Sequence, residues 1–496
     1  MNYLLTLDAG TTAVKAGLFT QALEPVGFAV CEYTLQTPRP GYVELSPETY
    51  WDCAVQAVRR LLAETGADGG QVLSVTCTTQ GETMIPVDAD HNALGPAIVW
   101  LDARAEEQAA QIAARVPALT FYQKTGLPEI NAYCPVAKLL WFRQQQPDLY
   151  RRARNFLLLE DYLILRLCGH CVTNPSLQSS TGWFDIFSGR YWTDLLQSLG
   201  LDVHKLPPVV PCGTAVAPVT AEAAVALGIS AGAVITTGAM DQAASAVGAG
   251  DLTAGCVTET TGTCQTVAAA VAPQVPQQLS PVTIYCHAVP DMHLQIVISQ
   301  TAGIVYKWFR DNFCADLQDG DAFARMDRLA AQAPAGCRGL LLSPQLAGTQ
   351  FPRADPAVRG VFLGVGLDTD RACFIRSILE GVAYLLRDSL EQMHVHPTRI
   401  LTLGGGAKSS LWCTIKAGVC GVPLCAPAWQ ESTSLGAALL GARALGLVES
   451  LVPPAAKGRT YDPDPADQAA YERMFQQYKT LSELLPALYH RKEPFA

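Results

Sequence analysis

Two short stretches hold the residue types that grip phosphate. TLDAGTTAVKAGLF places Asp8, Thr11, Thr12 and Lys15 around a glycine turn, and TETTGTCQTVA places Gly262 and Thr263 in a similar turn half a chain later. Backbone N–H groups and threonine hydroxyls in such turns form an anion nest without help from a helix terminus. Neither stretch is a dinucleotide fingerprint, since Gly10 is followed two residues on by Thr12 rather than glycine, and neither carries the Gly-Lys-Ser/Thr of a Walker loop. One Gly-Thr turn is ordinarily just a hairpin; two at matching places are stronger evidence. Asp241, in MDQAASAVG, reads either as an aspartate capping a helix or as an acid that accepts a proton. Cys168-Gly-His-Cys171 spells a dithiol core. The run NFLLLEDYLILRLC, however, reads as a helix capped by Gly169. Cys168 then falls at the negative end of that helix, which disfavours a thiolate.

The elements around these residues alternate between strand and helix. Residues 3–8 and 13–19 read as strands flanking the first turn, and FAVCEYTL reads as a third, an antiparallel meander rather than a strand-turn-helix unit. A helix follows with Ser46 as N-cap, Pro47 at its first position and Gly66 past its end. VLSVTCTT (72–79) reads as a buried strand, residues 233–250 as strand, glycine turn and helix, and 255–271 as strand, turn, strand. Residues 399–418 read as strand, glycine turn and helix, and 465–488 as a terminal helix. The repeated hairpin grammar points to a duplicated domain.

A chain of 496 residues is comfortable for two domains, and with nearly half its residues apolar and 16% charged it affords a large core. The net charge of −10 argues against a nucleic-acid partner. No apolar run reaches the roughly 18–20 residues of a membrane span, and no signal peptide is visible, so a cytoplasmic location without membrane contact is expected. The sixteen cysteines are mostly scattered singly on apolar segments, as small buried hydrophobes of a reducing compartment are.

The chain resembles the FGGY family of carbohydrate kinases, of the actin-like ATPase superfamily, over nearly its whole length. YCPVAKLLWFRQQ (133–145) fits the family's first signature around Lys138 and Trp141, and GVFLGVGLDTDRACFIRSILEG (360–381) resembles the second, with Cys373 where a polar or acidic residue is usual. LDAGTTAVK, MDQAASAVGAG, TTGTC, GGGAKSSLW and ESTSLGAALLG look like the family's other blocks, in its order. The resemblance implies an α/β fold of two duplicated actin-like (ribonuclease H-like) domains with an interdomain cleft. Residues 1–245 would bind sugar and carry the first phosphate loop, and 246–496 would bind nucleotide. It implies phosphoryl transfer from ATP to a sugar or polyol hydroxyl with Mg2+. Asp241 then matches the general base, held ionised by the helix N-terminus, and Asp8 the acid that holds magnesium. Thr11, Thr12 and Lys15 match the first phosphate loop, and Gly262 and Thr263 the second. Gly303 and Lys307 match nucleotide contacts; Gly406 and Ser410 match the loop flanking the adenosine, with serine where asparagine is frequent.

For the substrate, Gln80-Gly81-Glu82-Thr83 lies where glycerol kinases carry Arg-Glu-Thr and xylulokinases Met-His-Gly. By resemblance Glu82, Tyr133 and Gln242 contact substrate hydroxyls, and Gly81 in place of arginine is expected to leave volume for a substrate longer than glycerol. A carboxylate-bearing substrate would want a cation, and Arg104 in WLDAR is the nearest in sequence, though it could equally pair with Asp102. A pentulose such as xylulose is the expected substrate, with glycerol- or erythritol-type polyols and gluconate as alternatives; a homodimer is a candidate state. A non-catalytic ATP-binding switch is the competing class, and the acids Asp241 and Glu82 speak against it.

Overall fold

The computed structural model describes every residue except 318–319, 350–353, 429–430, 455–457 and 491–496. The opening residues form the expected meander. Strand β1 (Tyr3–Ala9) pairs antiparallel with β2 (Ala13–Thr20), which pairs antiparallel with β3 (Pro25–Glu32). β3 starts at Pro25 and stops before Tyr33, earlier than the sequence suggested. Strand β4 (Val72–Thr79) lies parallel to β1 on its other side, followed by β6 (Val234–Met240), also parallel, and β5 (Ala215–Pro218) at the edge, giving the order β5-β6-β4-β1-β2-β3. The parallel strands are buried along nearly their full length, as strands covered on both faces are. The Pro47–Thr65 helix packs its apolar stripe on the sheet and ends where Gly66 takes φ +66°, though the Ser46 side chain makes no capping bond.

Two local readings are corrected. Residues 155–168 are not one helix: Asn155–Leu158 is a strand, and the helix runs Leu159–Cys168, ending at Gly169 with φ +74°. The apolar run FLLL (156–159) serves a buried strand and a buried helix equally, so periodicity could not divide it. There is also no glycine turn before Asp241. β6 passes directly into the Asp241–Ala249 helix, and Gly238 sits inside the strand because a β-carbon there would lie 1.9 Å from the Cys77 carbonyl oxygen.

The compact units are not two consecutive stretches. The first comprises Met1–Leu252 with Val271–Leu294 and Glu431–Ala455; the second comprises Thr253–Ala270, Gln295–Gln430 and Ala456–Ala496. The returning Ser432–Ala444 helix lies against the Asp241–Ala249 helix at backbone contact. A β-carbon on Gly436 would fall 1.8 Å from the Ala244 carbonyl oxygen, and one on Gly248 1.9 Å from that of Ser432. Only glycine permits that approach.

The second unit repeats the plan. β7 (Val257–Thr261) and β8 (Gln265–Val271) form the second hairpin, β9 (His293–Ser299) flanks β8, and β10 (Ile400–Leu403) and β11 (Leu424–Ala426) continue parallel from β7. β12 (Arg459–Tyr461) closes the edge antiparallel. The terminal helix runs Gln468–Tyr489. Among the described residues no helix is long and apolar enough to cross a membrane.

Candidate active site

In the first unit the chemistry-bearing residues gather where the parallel strands β1, β4 and β6 end, the usual location for a ligand on an open α/β sheet. β1 delivers Asp8, directly across the ladder from Lys15. The Lys15 ammonium does not stop there: it meets Glu431 Oε2 at 2.5 Å. The Asp8 carboxyl receives no hydrogen bond among the described residues, and burial pushes it up to about 6, with Lys15 opposing and Glu431 adding to the rise. At the turn, the Trp100 indole N–H donates to Thr11 Oγ1 (3.0 Å), and the Thr12 carbonyl accepts from Tyr33 N (2.9 Å).

β4 leads into Gln80, whose N–H bonds the Ala9 carbonyl (3.0 Å) and so ties the Gly81-Glu82 bend to the first turn. Glu82 takes φ +59°, a left-handed conformation that costs a non-glycine residue. Burial raises its carboxyl above the usual range, against a hydrogen bond with Ser180 and the charge of Lys138. Lys138 is itself fully buried, donating to the Val99 (3.0 Å), Glu82 (3.4 Å) and Trp100 (3.4 Å) carbonyls, and burial holds its ammonium down to about 8. β6 delivers Asp241 as the first residue of its helix, with Oδ1 accepting from Gln242 N (2.7 Å). The helix terminus does not keep this acid at an ordinary carboxylate value: burial, then Asp8, push it up to about 7.

The second unit holds a cavity of about 540 Å³ lined by Thr261, Gly262 and Thr263 of the hairpin turn, by Gly303 and Lys307, and by Gly405, Gly406 and Ser409. Tyr306, Phe323 and Trp412 supply flat apolar walls. Glycines let these loops close on one another. A β-carbon at Gly303 would lie 2.2 Å from the Gly262 carbonyl oxygen, and one at Gly406 2.8 Å from Thr261 Cβ. Such a chamber, with backbone-rich turns at one end and aromatic walls, suits a nucleotide.

Residues 3–248 match the N-terminal domain, and residues 256–445 the C-terminal domain, of the FGGY family of carbohydrate kinases. The chain belongs to that family. It is 28% identical over 507 residues to an autoinducer-2 kinase of Klebsiella pneumoniae, covering 97% of this chain and 94% of that one. It is 27% identical over 502 residues to a gluconokinase of Bacillus subtilis, covering 98% and 97%. The structure superposes on ligand-bound xylulose kinase from Lactobacillus acidophilus with a TM-score of 0.90 at 26% identity, over 99% of both chains. The fold is thus the actin-like ATPase fold and the activity that of a phosphotransferase acting on a carbohydrate.

In this carbohydrate kinase the structure brings Asp8, Glu82, Asp241 and Gln242 to one end of the first sheet. Tyr133 is 46% exposed, and the phenol within electrostatic reach of both Glu82 and Asp241 is that of Tyr285, packed beside Met240. Tyr285 was missed because it stands in an unremarkable β-pattern, TIYC, far along the chain. At Gly81 a β-carbon would lie 2.9 Å from Ser180 Oγ and 3.0 Å from Met240 Sδ, so those two side chains pack directly against the glycine. In the cavity, Lys307 pairs with Asp311 (2.5 Å). The loop serine that lines it is Ser409, bonded to Asp327 (2.7 Å), while Ser410 Oγ faces the Tyr461 hydroxyl (3.2 Å). The Cys168 and Cys171 thiols are both raised by burial, Cys171 to about 11, which leaves them protonated.

Behind Asp241 lies a buried support. Glu160 Oε1 accepts from Gly238 N (2.9 Å) and Asn174 Nδ2 (3.0 Å), and Ser176 Oγ accepts from Met240 N (3.0 Å). Burial and the neighbouring Asp161 push Glu160 up to about 8. The folded state therefore holds a proton that the unfolded chain releases above its ordinary carboxylate range. Stability from this group is full at low pH and is lost as pH rises towards 8. The Glu160→Gln variant keeps the acceptor without the titration. Its melting temperature relative to the parent should rise between about pH 5 and 8 and level off above that, as thermal scans would show.

Proposed function

We propose that the protein transfers the terminal phosphate of ATP to a hydroxyl of a neutral polyhydroxylated sugar, of which a ketopentose such as xylulose is the leading candidate. Asp241 accepts the hydroxyl proton. Its environment supports that role: a carboxyl poised near neutrality is matched to taking a proton at working pH. Glu82 and the Tyr285 phenol, which lies within its electrostatic reach, supply an acceptor and a donor for other hydroxyls. The nucleotide is assigned to the cavity of the second unit, with Gly262 and Thr263 at its phosphates.

Magnesium fits Asp8. That carboxyl is buried, lacks hydrogen bonds among the described residues, and lies within electrostatic reach of Asp241, so it is short of positive charge. No cluster of three or more metal-ligating side chains exists among the described residues, and none is needed, since magnesium is commonly held by one or two carboxylates plus phosphate oxygens and water. When bound, the ion neutralises phosphate charge and aligns the transferred group.

The observation that carries neutrality is the fate of Arg104. Its guanidinium bonds Asp102 (2.8 and 2.7 Å) and Glu44 (2.7 Å), lies over the Tyr42 ring at 4.0 Å, and is 4% exposed. Two carboxylates already compensate its charge, and its side chain is closed off from solvent. Lys138 is spent on three carbonyls, and Asp8, Glu82 and Asp241 repel an anion. A panel of ketopentoses, alditols and aldonates, read by ADP release, should give at least one neutral sugar a kcat/KM about tenfold or more above any aldonate. Preferential turnover of gluconate would overturn the reading.

A further inference from the structure

We infer that Lys416, Glu259 and Thr261 form a positioning network beneath the second phosphate turn and set the affinity for nucleotide. Lys416 and Glu259 are both wholly buried. The Lys416 ammonium donates to Glu259 Oε1 and Oε2, each at 2.9 Å, and to Thr261 Oγ1 at 2.8 Å, so its three protons are all placed. Glu259 also accepts from Thr261 Oγ1, Thr402 Oγ1 (2.6 Å) and Gln265 Nε2 (3.1 Å). The Lys416 charge and the hydrogen bonds from Thr261 and Thr402 hold its carboxyl below the usual carboxylate range despite burial.

Thr261 is the residue through which this network reaches the cavity. Its hydroxyl faces inward to Lys416 and Glu259, while its backbone and Cβ form the wall on which the neighbouring loops rest. A β-carbon at Gly404 would lie 2.9 Å from the Thr261 carbonyl oxygen, and one at Gly406 2.8 Å from Thr261 Cβ. Gly262 follows it directly, and the Gly303 N–H bonds the Gly262 carbonyl at 3.0 Å. The Lys416 ammonium also sits 5.0 Å from the centre of the Trp412 ring, another cavity wall. One buried ion pair thus fixes the height of the hairpin turn, the glycine loop and an aromatic wall together. Closely packed loops transmit a shift of a few tenths of an ångström rather than absorb it.

The inference rests on assigning the cavity to nucleotide, and binding of magnesium-ADP by calorimetry separates the two. Thr261→Val keeps shape and removes the hydroxyl, leaving Lys416 and Glu259 one partner short. It should raise the ADP Kd about tenfold, and Thr261→Ser should restore it. Tyr471→Phe, which removes a buried 2.8 Å bond from Arg376 elsewhere in the unit, controls for loss of stability and should leave Kd within twofold. The sugar's KM at saturating ATP should not move in Thr261→Val. An unchanged Kd in Thr261→Val, or an equal rise in Tyr471→Phe, would overturn the inference while wild-type binding upholds the nucleotide assignment; failure of the wild type to bind ADP would overturn both.

Discussion

Asp241→Asn should lower kcat by about two to four orders of magnitude and leave the sugar's KM within a few fold. The carboxylate is the group proposed to take the hydroxyl proton, and asparagine has the same shape without the basicity. The substitution also removes one negative charge from the group formed with Asp8 and Glu82, which should stabilise the unit slightly rather than harm it. The signature is therefore specific: a stable protein with normal substrate affinity and almost no turnover. Stopped assays of ADP release, with a thermal scan of the same sample, would read both. Unimpaired turnover would remove Asp241 from the mechanism.

Lys416→Met should destabilise the second unit by about 3–5 kcal/mol, because it strands the wholly buried Glu259 carboxylate without its counter-charge. For a unit of this size that corresponds to a fall in melting temperature of roughly 10 °C. The loss belongs to the unpaired charge rather than to the lysine's packing. Adding Glu259→Gln to Lys416→Met should accordingly recover more than half of it, since glutamine is neutral and still accepts from Thr402. Denaturation of the parent, both single variants and the double variant checks this; a double variant that is worse than Lys416→Met would show that the packing dominates.

The parts of the molecule legible in sequence were those fixed by local chemistry. Gly-Thr turns between short apolar runs announced both hairpins, and Pro47 and Gly66 bracketed their helix to the residue. What escaped depends on partners distant in sequence. Nothing local tells that Lys138 and Lys416 are buried, because a lysine is ordinarily solvated and only three carbonyls or a facing glutamate make burial tolerable. Gly238 looked like a turn residue, yet its lack of a side chain answers to Cys77 on the next strand. Sequence left Arg104 open between a substrate carboxylate and its neighbour Asp102; the further partners Glu44 and Tyr42 come from earlier in the chain. Tyr285 reaches the acids only because residues 271–294 belong to the first unit.

The glycine contact between the Asp241–Ala249 and Ser432–Ala444 helices has a consequence for inheritance. Two halves built on one plan ought to be separable, each expressed as its own polypeptide. Here the helix that begins with Asp241 leans backbone to backbone on a segment encoded nearly two hundred codons later, and Lys15 draws its counter-charge from Glu431 beside it. A gene split at the midpoint would therefore yield an N-terminal product missing one wall of its own active site. A change at Gly436 would behave in a genetic screen like a lesion in the proposed base, Asp241.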